Sequence, residues 1–296
     1  MEAITLHNGA RKFSARFYGQ DNSGSVVLCL HGFPDNANSF YLQIDDFVAA
    51  GYRVLIPALR GYEPSSITAD ADYHLASLAQ DVFAWLDELH LDKVHLVGHD
   101  WGAAIAYAAS AIAPDRFLSL TTMAVPHPAR FIREGLAGVP LQILNSWYMF
   151  FNQIPVLSDY LIRQGDWQFI RFLRRRWSPD QVLTNAQWRD LCETFSQPGV
   201  VKAMLSYYRQ NASLPLILGF RHSLMSDIKK ILVPNLAITG ANDGCVDTRV
   251  FDYTVLAKDY PRGFRVERID GAGHFVHQEN PVEVNSLIIS WFISNS

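Results

Sequence analysis

The sequence predicts an α/β fold: a mostly parallel sheet flanked by helices and interrupted by an all-helical insertion. Three observations carry this. Buried apolar runs of strand length, such as Val26 to Leu30 and Arg53 to Pro57, alternate with segments of helical spacing. The stretch Val94 to Ser110, VHLVGHDWGAAIAYAAS, passes directly from a strand pattern into an alanine-rich helix. From Ala129 to about Ser226 no convincing buried strand is found, and the alternation resumes at Leu232.

Taken in order, Ile4 to His7 and Lys12 to Tyr18 read as short strands joined at the Asn8-Gly9 turn. A loop follows at Asp21 to Ser25, then the buried strand Val26 to Leu30, which ends at His31-Gly32-Phe33-Pro34. Ser39 to Ala50 reads as a helix, Arg53 to Pro57 as a strand, and Arg60 to Ser66 as a Gly/Pro/Ser loop. Asp72 to His90 has helical spacing, with Leu75, Leu78, Val82, Trp85, Leu86 and Leu89 on one face. After the strand and helix of the central stretch comes a strand at Phe117 to Val125, stopped by Pro126-His127-Pro128. The insertion is dense in aromatics, and Pro155, Pro179, Pro198 and Pro215 break it into short helices. Leu232 to Thr239 and Phe264 to Ile269 then read as strands, and Thr248 to Asp259 and Val282 to Phe292 as helices. The expected division is a core of residues 1–128 and 227–296 with a helical cap of residues 129–226. The insertion starts where a strand reaches the C-terminal edge of the sheet, so it is expected to cover that edge as a lid.

Composition sets bounds. A chain of 296 residues with 49% hydrophobic content suits one large domain with an insertion, or two small domains. A net charge of −4 gives no footprint for nucleic acid. Cys29, Cys192 and Cys245 are too few and too scattered for a disulfide framework, so a reducing, cytoplasmic location is expected. The start, MEAITLHNGARKF, lacks the apolar core of a signal peptide, and no apolar run reaches the ~18 residues of a membrane span. No His or Asp set has metal-ligand spacing, and no cofactor is expected. A monomer or homodimer acting on a small molecule, without membrane or nucleic-acid partners, fits these bounds.

The chemistry is concentrated at Gly98-His99-Asp100-Trp101-Gly102. A strand that turns straight into a helix strains the turn residue and projects its side chain from the sheet edge. The residues two before and two after must be tiny because the segments nearly touch, and Gly98 and Gly102 meet that demand. A βα turn with small packing residues is the plainer alternative. Asp100 stands where such turns usually carry serine. A carboxylate needs no base to become a nucleophile at neutral pH. Attack on an ester carbonyl would give an anhydride, no easier to hydrolyse, whereas attack on a saturated carbon gives an ordinary ester. The expected substrate therefore carries an electrophilic sp3 carbon, as in an epoxide or an alkyl halide.

Cleaving that ester needs a base and a group to orient it, in the chain order nucleophile, acid, His. Asp243, in Gly240-Ala241-Asn242-Asp243-Gly244 after a strand, takes the acid's place; it could also be a turn former, and Asp247 is a competing acid. His274, in Gly271-Ala272-Gly273-His274-Phe275, takes the base's place, with His277 expected to point toward the last helix. Backbone N–H groups of Phe33 and Trp101 are the expected oxyanion donors, each worth ~3 kcal/mol of barrier. His31 and His99 are expected to brace loops.

With these residues in view, the chain resembles the epoxide hydrolases of the α/β-hydrolase fold over nearly its whole length. His31-Gly32-Phe33-Pro34 matches the family's oxyanion loop, Gly98 to Gly102 its elbow, and Asp243 and His274 its acid and base. The resemblance implies two lid tyrosines that hold the epoxide oxygen. Tyr148, in a Trp/Tyr/Phe-rich segment ending at Pro155, and Tyr208, before Arg209, match them, with Tyr207 an adjacent alternative. Lid packing is the plainer role for all three. The sequence departs from the family pattern at Glu63, where glycine is commoner, and no effect on catalysis is expected. Haloalkane dehalogenases share the Asp nucleophile and the following Trp, but usually place an amide side chain where this chain has Phe33. A second alternative is a hydrolase fold that binds a small ligand without chemistry.

Overall fold

The computed structural model describes residues 1–213 and 224–296. Eight strands form one sheet in the order β1-β2-β4-β3-β5-β6-β7-β8. They are β1 (Glu2–Asn8), β2 (Arg11–Tyr18), β3 (Val26–Leu30), β4 (Arg53–Pro57), β5 (Val94–His99), β6 (Phe117–Met123), β7 (Asn235–Gly240) and β8 (Phe264–Ile269). The β1–β2 hairpin and the β2–β4 pair are antiparallel, and every later pair is parallel. All eight correspond to strands expected from the sequence.

The sheet is buried on both faces, which is why its central strands read as unbroken apolar runs. Along β3 the side chains alternate: Val26, Leu28 and Leu30 join one core cluster, Val27 and Cys29 the other. The first cluster is closed by helices Leu75–Glu88 and Trp101–Ile112, through Leu78, Val82, Trp85 and Ile105. The second is closed by Ile44–Ala49 and Pro281–Ile293, through Phe47, Val284, Ile288 and Phe292.

Two expected helices are shorter than their spacing suggested. Ser39 to Ala50 is a 3-10 turn, Ala37–Phe40, followed by a separate helix, Ile44–Ala49. Asn36 caps the first turn through its side chain, and Gln43 spends its amide on the carbonyl of His277, 2.7 Å away. Thr248 to Asp259 yields only Val250–Thr254 and a short turn, Ala257–Asp259. The Thr254 hydroxyl folds back onto the Val250 carbonyl at 2.8 Å at the end of this helix.

Between β6 and β7 the described residues hold helices and turns but no strand. The longest are Gln168–Trp177, Asn185–Ser196 and Val200–Asn211. Pro215 and the end of the expected insertion, residues 214–223, lie outside the described residues. The insertion leaves and re-enters the sheet at neighbouring strands, since β6 and β7 pair from Leu120–Asn235 to Met123–Ile238. No helix among the described residues is long and apolar enough to cross a membrane.

Candidate active site

β5 delivers the chain to Asp100, and the helix Trp101–Ile112 begins at the next residue. Asp100 has φ 50° and ψ −121°, a conformation that L side chains rarely adopt. The tightness of the turn explains both flanking glycines. A Cβ on Gly98 would lie 2.4 Å from the Gly102 carbonyl oxygen, and one on Gly102 would lie 2.0 Å from that of Leu30. Gly32 matters for the same reason: a Cβ there would meet the Asp100 Cβ at 2.5 Å. The oxyanion-loop candidate is thus pressed against the turn. The Phe33 N–H donates to Asp100 Oδ1 at 2.7 Å. The Trp101 N–H belongs to the first residue of the helix, where no intrahelical acceptor exists.

The acid and base candidates come from the loops after β7 and β8. His274 Nδ1 lies 3.0 Å from Asp243 Oδ2, and Nε2 lies 3.5 Å from Asp100 Oδ2. His274 is fully buried, and its Nε2 has no hydrogen-bond partner. Asp243 Oδ1 accepts the N–H groups of Cys245 and Val246 at 2.7 and 3.0 Å. Asp247 instead pairs with Arg249 on the surface side and does not reach the imidazole. His277 points away, with Nε2 2.8 Å from Ser39 Oγ. His31 accepts the Leu59 N–H at 3.1 Å, and His99 Nε2 donates to the His274 carbonyl at 2.9 Å, so both brace loops.

A mostly apolar cavity opens over Asp100. Its lining includes Trp101, Phe131, Tyr148, Met149, Tyr208 and Cys245. Tyr208 is buried and its hydroxyl has no partner, whereas the Tyr207 hydroxyl donates to the Arg60 carbonyl at 2.7 Å, away from the cavity. The Tyr148 hydroxyl lies 3.3 Å from Cys245 Sγ. Glu63 accepts the Ser14 N–H at 2.6 Å, outside the cavity.

Residues 25–281 match the family model described as alpha/beta hydrolase fold. The chain is 31% identical to human epoxide hydrolase 4 over 271 residues, covering 89% of this chain and 71% of that protein. The chain belongs to the α/β-hydrolase epoxide hydrolases. It is 29% identical to an epoxide hydrolase of Caballeronia sordidicola, covering 91% of this chain and 88% of that one. It superposes with a TM-score of 0.84 on a variant of an epoxide hydrolase from Bacillus megaterium in complex with its product, (R)-3-[1]naphthyloxy-propane-1,2-diol. That pair is 26% identical and covers 98% of this chain and 100% of the other.

The electrostatics of this epoxide hydrolase site follow from burial and charge. Burial pushes the Tyr148 and Tyr208 phenols well above their ordinary pKa, with nearby Asp100 adding to the effect, so both stay protonated. Burial alone would lower the His274 pKa, but the carboxylates of Asp243 and Asp100, facing its two nitrogens, outweigh it and hold it well above its ordinary value. Two residues at the site escaped sequence reasoning. Cys245 lines the cavity two positions after Asp243, and the Asp243 turn that orients it has no signature beyond Asp-Gly. Trp177 packs against both Tyr148 and His274, with ring centroids 4.8 and 5.1 Å apart; nothing separates it in sequence from the other aromatics of the insertion.

Proposed function

We propose that this chain converts an epoxide and water to a vicinal diol through an ester on Asp100, with residues 129–226 acting as the cap. One observation carries the reading. A carboxylate stands at the strained turn, 3.5 Å from an imidazole tied to a second carboxylate, under a cavity that also holds two buried tyrosine hydroxyls.

In the first step an Asp100 carboxylate oxygen attacks an epoxide carbon and the ring C–O bond breaks. Tyr148 and Tyr208 donate hydrogen bonds to the departing oxygen, which ends as a hydroxyl. Ester formation removes the negative charge of Asp100, one of the groups that hold the imidazole protonated. Its pKa falls, and the proton that it releases balances the one taken up by the alkoxide. Neutral His274, oriented by Asp243, then takes a proton from water as hydroxide adds to the ester carbonyl. The N–H groups of Phe33 and Trp101 hold the resulting oxyanion, and its collapse frees the diol and restores the carboxylate. The paired tyrosines favour an epoxide over a haloalkane, because an alkoxide needs donors that halide does not. The apolar Phe33 side chain supports the same choice.

The test is covalent trapping. In His274→Gln, turnover of an epoxide should leave a substrate-sized mass increment on the intact protein, mapped by peptide analysis to Asp100. An increment elsewhere, or none from a substrate that the parent enzyme converts, would remove the mechanism.

A further inference from the structure

The helix Gln168–Trp177 ends wedged between the loop that carries Asp243 and the loop that carries His274. The Trp177 carbonyl accepts two N–H groups, from Gly244 and from His274, each at 3.1 Å. Carbonyls in the last turn of a helix lack intrahelical donors, so this helix end offers acceptors that the two loops take up. The contact is close enough to demand glycine on the other side. A Cβ on Gly244 would lie 2.0 Å from the Arg176 carbonyl oxygen, and one on Gly273 would lie 2.6 Å from that of Trp177. Ser178 adds a third link: its Oγ accepts the Phe275 N–H at 3.1 Å and donates to Glu279 at 2.6 Å. The Trp177 ring is fully buried and packs edge-on against the His274 imidazole. Arg174, one turn earlier, donates to the Pro34 carbonyl at 2.9 Å and lies 3.6 Å above the Phe275 ring.

We infer that the helix end at Trp177 and Ser178 positions the base for hydrolysis of the ester: the Trp177 carbonyl ties the acid loop to the base loop, its ring fixes the plane of the His274 imidazole, and the Ser178 hydroxyl holds the N–H of Phe275, the residue after His274. The inserted helices are then part of the base machinery as well as a cover. The inference rests on the proposed role of His274 as base. That imidazole must keep its bond to Asp243 while aiming Nε2 at a water beside the ester. A misplacement of about 1 Å in such a group costs on the order of 10²-fold in rate.

Rapid mixing of the full-length protein with an epoxide resolves ester formation from ester hydrolysis. Trp177→Leu should slow hydrolysis by roughly 10- to 10²-fold, more than it slows ester formation, which the same ring touches through Tyr148. Trp177→Phe, which keeps a ring over His274, should recover most of that loss. Ser178→Ala leaves the ring in place and should also slow hydrolysis selectively; it decides the matter if Trp177→Leu does not fold. His274→Gln serves as reference. Should His274→Gln accumulate ester while Trp177→Leu and Ser178→Ala hydrolyse it at the parental rate, or slow both steps equally, the positioning role is overturned and the role of His274 stands. Should His274→Gln fail to accumulate ester, both are overturned.

Discussion

Asp243 divides its carboxylate between two tasks. Oδ1 closes a tight turn by accepting the N–H groups of Cys245 and Val246, and Oδ2 faces His274. The sequence offers turn former and acid as alternatives; in the structure one oxygen closes the turn and the other lies 3.0 Å from the imidazole, free for the proposed role. Asp243→Asn should therefore slow ester hydrolysis by orders of magnitude, because an amide cannot hold both the tautomer and the charge of the imidazole. Asp247→Asn should be nearly neutral; single-turnover hydrolysis rates distinguish the two, and the reverse result would move the acid to Asp247. In the proposed mechanism the cavity tyrosines act in the other step. Tyr148→Phe or Tyr208→Phe should slow ester formation by ~10²-fold or more while leaving hydrolysis much less affected. Ester formation at the parental rate in the double variant would reduce both to packing residues. In sequence only the following Arg209 favours Tyr208 over Tyr207; in the structure the turn of the helix Val200–Asn211 sends the Tyr207 hydroxyl to Arg60 and leaves Tyr208 at the cavity.

The elbow is the element whose structure was most fully legible in sequence, because two constraints converge on it. Backbone contact fixes Gly98 and Gly102, and the proposed chemistry accounts for the carboxylate between them. Gly102→Ala has no relief available, since the obstruction is the Leu30 main chain. It should lower stability by about 1–3 kcal/mol, read from a denaturant midpoint, and depress activity with it. Asp100→Gly should abolish turnover yet unfold at the same or a higher denaturant concentration, because glycine relieves a strain of about 1–3 kcal/mol. A large loss of stability in that variant would mean that the turn is not strained. Strands were equally legible, since burial on both faces writes itself as apolar runs. The short helices at Ile44–Ala49 and Val250–Thr254 were not, because apolar spacing does not mark where a helix of five or six residues begins and ends.

At the scale of the whole molecule, the buried histidines set the response to acid. Burial pushes His31, His95, His99 and His127 down to about 4, and His277 well below its ordinary value. In the unfolded chain each takes up a proton near pH ~6.5. Between that pH and about 4 the unfolded state binds more protons, so stability falls as pH falls, by roughly 1.4 kcal/mol per proton per pH unit. His274 has the opposite sign: its raised pKa contributes stability that is complete below pH ~6.5 and is lost as pH rises through the folded value. The five outnumber the one on the acid side. Urea midpoints should therefore drop steeply from pH 6.5 to 4.5 (roughly the span of the shifts), and a flat profile would contradict the burial of these imidazoles.

The two ends of the insertion leave adjacent strands, so a gene segment bounded by codons near the ends of β6 and β7 could be exchanged between relatives as a cassette, carrying with it the insertion's share of the cavity lining, Phe131, Tyr148, Met149 and Tyr208. The grip of Trp177 on Gly244 and His274 puts a condition on that exchange. A transplanted cassette whose equivalent of Arg174 to Ser178 does not fit the host loops would yield a well-folded hybrid that captures its epoxide and then stalls. Recombination in this family should therefore succeed most often when that helix end and the two loops that it touches are inherited from the same parent.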